Sequence, residues 1–392
     1  MNESVIVSIA RTPIGSFQGA LSTVSAIDLG ATTIRETVKR AGIHIEDVDE
    51  VIMGNVLSAG IGQAPARQAA ILGGLPNKVE CMTINKVCGS GLKAVMLADQ
   101  AIRCGDADVV IAGGMENMSR APYYLMDARS GMRMGHKKVI DALIHDGLWD
   151  PYGNMHMGNC AEVLANEDNY TRAEQDSFAL ESYRRSIASI KNGSFRSEIV
   201  AVKVPKKGGN VVIVDTDEEP GMGKPDMLGK LRPAFDKEGT ITAANASTIN
   251  DGAAALTVIS NKKAMKLGIS PLCRIVAQVS AAHEPIYFTT APSKAITKVL
   301  IKAGLSIEDI DLFEINEAFS NVTLAAMREH SIAHEKVNIY GGAVSLGHPI
   351  GASGARILVT LISALQHKQK KRGLATLCIG GGEAAALIVE IM

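Results

Sequence analysis

Five stretches of the chain are apolar at nearly every position instead of at alternate ones: residues 5–10, 109–112, 256–259, 274–279 and 374–379. A strand with one wet face alternates, whereas a short continuous apolar run is the pattern of a strand covered on both faces. Longer segments carry apolar residues at helical spacing, among them 355–365 and a more polar one at 173–190. Strands alternating with helices predict a layered α/β fold, with helices supplying the cover.

The pattern is written twice. Ala41-Gly42-Ile43-His44-Ile45-Glu46-Asp47-Val48-Asp49 recurs as Ala303-Gly304-Leu305-Ser306-Ile307-Glu308-Asp309-Ile310-Asp311, and each copy precedes an apolar run, Val51-Ile52-Met53 or Leu312-Phe313-Glu314-Ile315. Cys88-Gly89-Ser90-Gly91 aligns with Gly351-Ala352-Ser353-Gly354, and Ile111-Ala112-Gly113-Gly114-Met115-Glu116 with Cys378-Ile379-Gly380-Gly381-Gly382-Glu383. Matches that keep their order and nearly their spacing predict a duplicated domain. The second copy continues directly through Glu383-Ala384-Ala385-Ala386-Leu387. Its counterpart, Gly252-Ala253-Ala254-Ala255-Leu256, comes roughly 130 residues late in the first copy, about one domain's length. Residues 119–250 are therefore expected to be an inserted domain, the first half being 1–118 with 251–270 and the second 271–392. Two halves packed together predict five layers: helix, sheet, helix, sheet, helix.

Composition narrows the function. The 392 residues suffice for more than one domain. A formal net charge of −1 gives no general attraction for a polyanion, which makes nucleic acid a poor partner. No apolar stretch is long enough to span a bilayer, and the N-terminal apolar run reads as a strand, not a signal peptide. The C-terminus carries no address motif. Six scattered cysteines, with no Cys-x-x-Cys pair, speak against a zinc site or disulfide framework and for a reducing cytoplasm.

The candidate chemistry begins at Cys88, in Asn85-Lys86-Val87-Cys88-Gly89-Ser90-Gly91. A thiol at the start of a helix faces the positive end of its dipole, which lowers the pKa and favours the nucleophilic thiolate. A lone cysteine is also often a packing residue. His348 sits on the repeat-equivalent turn, where a neutral imidazole could take the Cys88 proton, or where Pro349 and the flanking glycines could simply hold it. Cys378 ends a strand at the edge where open α/β sheets bind ligands. It could exchange protons with carbon, or fill a small core position. The run Gly380-Gly381-Gly382 after it could aim N–H groups at a substrate oxygen. Asn316, in Glu314-Ile315-Asn316-Glu317-Ala318-Phe319, could donate to a water or carbonyl beside His348, or cap a helix.

Together these blocks, with Asn245-Ala246-Ser247-Thr248-Ile249-Asn250-Asp251-Gly252-Ala253, resemble those of the thiolases, in order and over essentially the whole chain. The resemblance implies two similar five-stranded mixed-sheet α/β halves in an αβαβα arrangement, with an inserted loop domain. It implies that Cys88 carries the acyl group as a thioester, that His348 activates it, and that Cys378 handles the α-proton. Asn316, through a water, and His348 would form one oxyanion hole; the N–H groups of Cys88 and Gly380 would form the other. The substrates would be acetyl-CoA, acetoacetyl-CoA and CoA in a reversible Claisen condensation, with no metal or other cofactor.

In the inserted domain, Asn154-Met155-His156-Met157-Gly158 resembles the family's pantetheine-contacting segment, with His156 and Met157 at the matching positions, and Ser247 matches a pantetheine-contacting serine. Leu148, Ala318 and Phe319 are expected at the substrate. Lys206 and Lys207 could meet CoA phosphates or form a solvated turn. The stretch from Gly131-Met132-Arg133-Met134-Gly135 to Asp146-Gly147-Leu148 is similar to that of the short-chain group, which implies a shallow acyl pocket and a tetramerisation loop. One departure is Phe288-Thr289-Thr290-Ala291-Pro292 where the family usually has Met-Gly-Thr-Gly-Pro; it puts a bulky Phe288 at the acyl pocket. Thr248 stands where glycine is common. The rival readings are a degradative thiolase for longer chains, a decarboxylating ketosynthase, against which the Cys378 motif speaks, and a non-catalytic acyl-CoA-binding protein.

Overall fold

A computed structural model describes residues 2–223 and 225–392. Every continuous apolar run lies in a strand. In chain order the main elements of the first half are β1 (Ser4–Arg11), α1 (Ala26–Ala41), β2 (Glu50–Gly54), α2 (Pro65–Leu72), β3 (Glu80–Ile84), α3 (Ser90–Cys104) and β4 (Val109–Asn117). Next come α4 (Met157–Glu167) and α5 (Arg172–Asn192), followed by β5 (Asn250–Ser260). The second half has β6 (Cys273–Ala282), α6 (Ala291–Ala303), β7 (Leu312–Ile315), α7 (Ser320–Glu329), α8 (Ile350–His367), β8 (Arg372–Ile379) and β9 (Glu383–Ile391). Local chemistry sets the helix ends. Ser25 caps α1 by accepting from the Asp28 N–H, and Thr171 with Glu174 forms a capping box at α5.

The strands run in the order β7-β8-β9-β6-β1-β5-β4-β2-β3, and Gly15–Ser16 adds a tenth short strand against β5. The two halves meet between β6 and β1 through only two residue pairs, Val5 with Arg274 and Ile6 with Cys273. The first half has five long strands. In the second, the fifth place is taken by a single parallel bridge from Phe313 to Val337.

Side chains on the two faces of each strand go to different cores, which is why the runs do not alternate. On β5, Leu256 and Val258 join a central cluster with α3 and α8, while Ala255 and Ile259 face α1 and α2. On β9, Leu387 and Val389 join that same central cluster, while Ala386 and Ile388 face α6. The layers are thus α1 and α2, a sheet, α3 and α8, a sheet, and α6 with α7. Helix α8 lies in the middle, and Ile350 to Leu365 are all buried.

Pairing corrects one part of the repeat. Ala112 lies opposite Leu256, and Ala375 lies opposite Leu387. With Leu256 and Leu387 as counterparts, Ile111 corresponds to Leu374, and Glu116 to Ile379 instead of Glu383. The Gly-Gly similarity had drawn the sequence match four residues out of register, which strands tolerate because an even slip keeps the same face inward.

Strands β4 and β5 pair as β8 and β9 do, antiparallel from end to end. Gly380-Gly381-Gly382 joins the second pair, whereas the first pair is joined by everything from Met118 to Ile249, including α4 and α5. That excursion is fastened to the sheet by a buried triad. Arg11 at the end of β1 holds Glu198 at 2.5 Å and Asp217 at 2.7 Å, all three side chains fully buried.

Candidate active site

Helices α3 and α8 pass each other closely. A Cβ added at Gly91 would lie 2.8 Å from the Ala355 nitrogen, and one at Gly354 would strike Leu92. Small residues at this crossing bring the two helix N-termini together, and with them the turns that precede them. Cys88 lies two residues before α3, and His348 two before α8. Val87 is held at φ +47°, a left-handed conformation costly for a β-branched residue, and one associated with strained functional turns.

The turns open onto a cavity of about 230 Å³ whose wall is mostly apolar. Cys88, His348, Cys378 and Gly380 all line it. So do Leu148, His156, Met157, Ser247, Phe288, Ala318 and Phe319. Asn316 does not line it. It follows β7, is buried, caps no helix, and neither its side-chain Oδ1 nor its Nδ2 has a protein partner. Lys206 and Lys207 lie away from the cavity at an exposed turn closed by the Lys206 N–H to the Asn210 carbonyl. His156 caps α4, its Nδ1 accepting from the Gly158 N–H, and its ring stacks on Phe235 at 4.9 Å.

His348 is held in one orientation. Its backbone N–H donates to Asn250 Oδ1 at 2.9 Å, and its Nδ1 lies 2.6 Å from Ser353 Oγ. The Ser353 hydroxyl donates to the Pro349 carbonyl, so its oxygen is free to accept from Nδ1–H. That assignment leaves the bare nitrogen at Nε2, which is buried without a protein partner.

Burial governs the proton equilibria. It pushes the Cys88 thiol up to about 11, against hydrogen bonds from the N–H groups of Gly380 and of Cys88 itself, while the nearby Glu116 charge pushes it further up. Burial, with Arg356 nearby, pulls His348 down to about 3. Burial thus opposes the thiolate that the helix end favours, and it disfavours charge on both partners. Cys378 is held well above an ordinary thiol, by burial first and by Cys88 second. Such a thiol is a strong base once its proton has gone. Lys86, beside the Cys88 turn, makes an ion pair with Glu383, beside the Gly380 turn.

Several residues at the site have roles that no motif displays. Phe235 and Met118 complete the wall. Asn250 and Ser353 set the His348 turn, and Glu116 lies buried beneath it. Asn250 and Ser353 stood inside recognised blocks, but only the fold shows their partners. Among the described residues, no group of three or more His, Cys, Asp or Glu side chains is arranged to hold a metal ion, and no helix is long and apolar enough to cross a membrane.

A duplicated α/β fold with two thiols and a histidine at its centre is that of the thiolases, and the chain belongs to this family: the thiolase N-terminal domain matches residues 4–262 and the thiolase C-terminal domain residues 269–391. Among individual relatives, acetyl-CoA acetyltransferase of Pseudomonas aeruginosa is 52% identical over 388 residues, covering 99% of each chain. The crystal structure of the Bacillus anthracis acetyl-CoA acetyltransferase superposes with a TM-score of 0.98 at 41% identity, over 100% of this chain and 99% of that one. Acat5 thiolase from Ascaris suum, in complex with coenzyme A, superposes with a TM-score of 0.95 at 43% identity over the whole of both chains.

Proposed function

We propose that this protein is an acetyl-CoA acetyltransferase, joining two acetyl-CoA molecules into acetoacetyl-CoA and CoA and running the reverse thiolysis. The observation that carries the reading is the meeting of two thiols, an unpartnered imidazole nitrogen and inward N–H groups in one narrow cavity that Phe288 also lines. The names of the Pseudomonas and Bacillus relatives, and the coenzyme A bound to the Ascaris one, support the same substrate class.

In the first half-reaction Cys88 Sγ attacks the acetyl carbonyl carbon as His348 Nε2 takes its proton. The carbonyl oxygen gains negative charge and accepts from the N–H groups of Cys88 and Gly380, where preorganised donors are worth most. The bond from carbon to the CoA sulfur breaks, and that sulfur takes the proton of Cys378. Acetyl-Cys88, imidazolium and a Cys378 thiolate remain.

In the second half-reaction Cys378 removes the α-proton of a second acetyl-CoA. The enolate oxygen accepts from His348 Nε2–H and from a water held by Asn316, whose unpaired amide suits that role. The enolate carbon attacks acetyl-Cys88, the carbon–sulfur bond breaks, and Cys88 recovers its proton from His348. Each residue ends as it began, and the steps use only side chains, backbone N–H groups and the CoA thioesters. A covalent intermediate between two substrates makes the kinetics ping-pong.

The pantetheine arm would run past His156, Met157 and Ser247, which line the same cavity. The six free cysteines suit a reducing cytoplasm. Cys88→Ala tests the core of the reading. Mass spectrometry after incubation with acetyl-CoA should find an acetyl adduct on the native protein and none on the variant. A folded Cys88→Ala protein that still cleaved acetoacetyl-CoA would end it.

A further inference from the structure

Glu116 is a fully buried carboxylate near the end of β4. It accepts four hydrogen bonds: at Oε1 from Asn55 Nδ2 at 2.9 Å and the Leu57 N–H at 3.2 Å, and at Oε2 from the Val56 N–H at 3.0 Å and the Gly351 N–H at 2.8 Å. Three donors come from the loop after β2, in the first half. The fourth comes from the first turn of α8, in the second half, three residues after His348. A carboxylate at a helix N-terminus also complements the helix dipole.

The fit leaves little freedom. A Cβ at Gly351 would lie 2.5 Å from Glu116 Oε2 and 3.0 Å from the Asn55 Cα. The loop that Glu116 fixes puts Val56 and Leu57 into a cluster with Ile350, against which Cys88 and Leu148 pack. Glu116 thus joins the wall beside the nucleophile to the turn that carries the base. Its counterpart in the second half is the apolar Ile379, which a Cβ at Gly89 would strike beside Cys88. The duplicated scaffold has a charged brace under the histidine turn and an apolar one under the cysteine turn.

We propose that Glu116 is a positioning residue that sets His348 in register with Cys88 across the two halves, so that proton transfer and attack coincide. The inference rests on the reading of Cys88 as nucleophile and His348 as its base. Four N–H donors fill the acceptor positions of the ionised carboxylate, and a protonated acid would turn an O–H against one of them. Burial raises its pKa to about 7, so at pH 8 the ionised form prevails; Asp251 on β5 adds to the rise. Its charge is felt by Cys88, whose thiol it holds higher.

These two influences have opposite signs, which gives the test. In Glu116→Gln an amide N–H₂ faces backbone donors, the brace loosens, and the charge is lost. We expect kcat for acetoacetyl-CoA thiolysis at pH 8 to fall by about 100-fold, the effect of displacing a reacting group by roughly 1 Å, with KM nearly unchanged. The rate of Cys88 alkylation by iodoacetamide should meanwhile shift to lower pH, because a neighbouring negative charge has gone. A residue that only stabilised the fold would not make the thiol easier to ionise while slowing turnover. Glu116→Asp, which keeps the charge but cannot span both halves, should lose kcat with no shift of the alkylation profile. Gly351→Ala should do the same by pushing the carboxylate from the other side. Should Glu116→Gln fail to fold, these two variants decide: near-native kcat in either overturns the proposal. So does a folded Glu116→Gln with kcat within twofold of native, or one whose alkylation profile is unmoved. Native protein that forms no acetyl adduct would overturn the functional reading instead, before any variant is compared.

Discussion

Phe288 is the residue on which substrate choice should turn. It is 2% exposed, meets Phe319 edge to face at 6.2 Å, and lines a cavity of about 230 Å³. In Phe288→Ala the acyl end of the cavity gains a ring's volume. Each methylene that moves from water into that space is worth about 0.8 kcal/mol. 3-Ketohexanoyl-CoA has two more than acetoacetyl-CoA, so about 1.6 kcal/mol becomes available, or roughly 15-fold in relative kcat/KM. Truncating a buried Phe costs about 3–5 kcal/mol of stability where the site cannot collapse; Phe288→Leu is the milder companion. The assay is initial thiolysis rate against both substrates at saturating CoA. Native protein should prefer acetoacetyl-CoA strongly, and Phe288→Ala should raise the longer-chain ratio by at least about tenfold, with circular dichroism reporting the fold. A native protein that cleaves 3-ketohexanoyl-CoA as well as acetoacetyl-CoA, or a folded Phe288→Ala with an unchanged ratio, would refute the idea that Phe288 limits the acyl chain.

Two further expectations follow from the site and the surface. Because the Cys88 thiol sits near 11, its thiolate fraction rises about tenfold per pH unit below that value, so the iodoacetamide inactivation rate of the free native protein should climb steadily from pH 6 to 9; a plateau by pH 7 would mean that a thiolate–imidazolium pair is already formed at rest. The segment before α4 leaves Met126, Met134 and Val139 more than 60% exposed, an apolar surface suited to contact between copies; light scattering should give a homotetramer, and a stable monomer would contradict it.

Much of this was legible in the chain. The continuous apolar runs at 5–10 and 109–112 are strands because both faces are covered, and the hydrophobic pattern states that directly. Cys88 and His348 were visible as equivalent turns because duplication puts equivalent turns at one pseudo-symmetric centre. What sequence left open was how far the site is withdrawn from water. The helix dipole is a local feature that a motif displays, whereas burial is set by residues such as Met157, Phe288 and Phe319, which line the cavity from separate segments. Glu116 was aligned with Glu383 because both follow paired glycines, and only strand pairing shows that Ile379 is its counterpart. Its four partners belong to two segments more than two hundred positions apart, and no spacing rule links them.

The placing of the inserted domain between two adjacent strands has a consequence for biosynthesis. Strand β1 pairs with β5, Ser4 against Ser260 and Arg11 against Ala254, and β4 waits for the same partner. Strands β4, β2 and β3 can pair with one another once the chain has reached Asn117, but β1 cannot join them until the chain beyond Asn250 has left the ribosome. Contacts this distant in sequence are slow to form, since the intervening loop must be ordered before they are rewarded. A nascent chain paused anywhere within the excursion would therefore expose the edges of both β1 and β4, two of its most apolar strands. The same insertion that would bring the CoA arm to the site prolongs the time for which those edges stay open to wrong pairing while the missing strand is made.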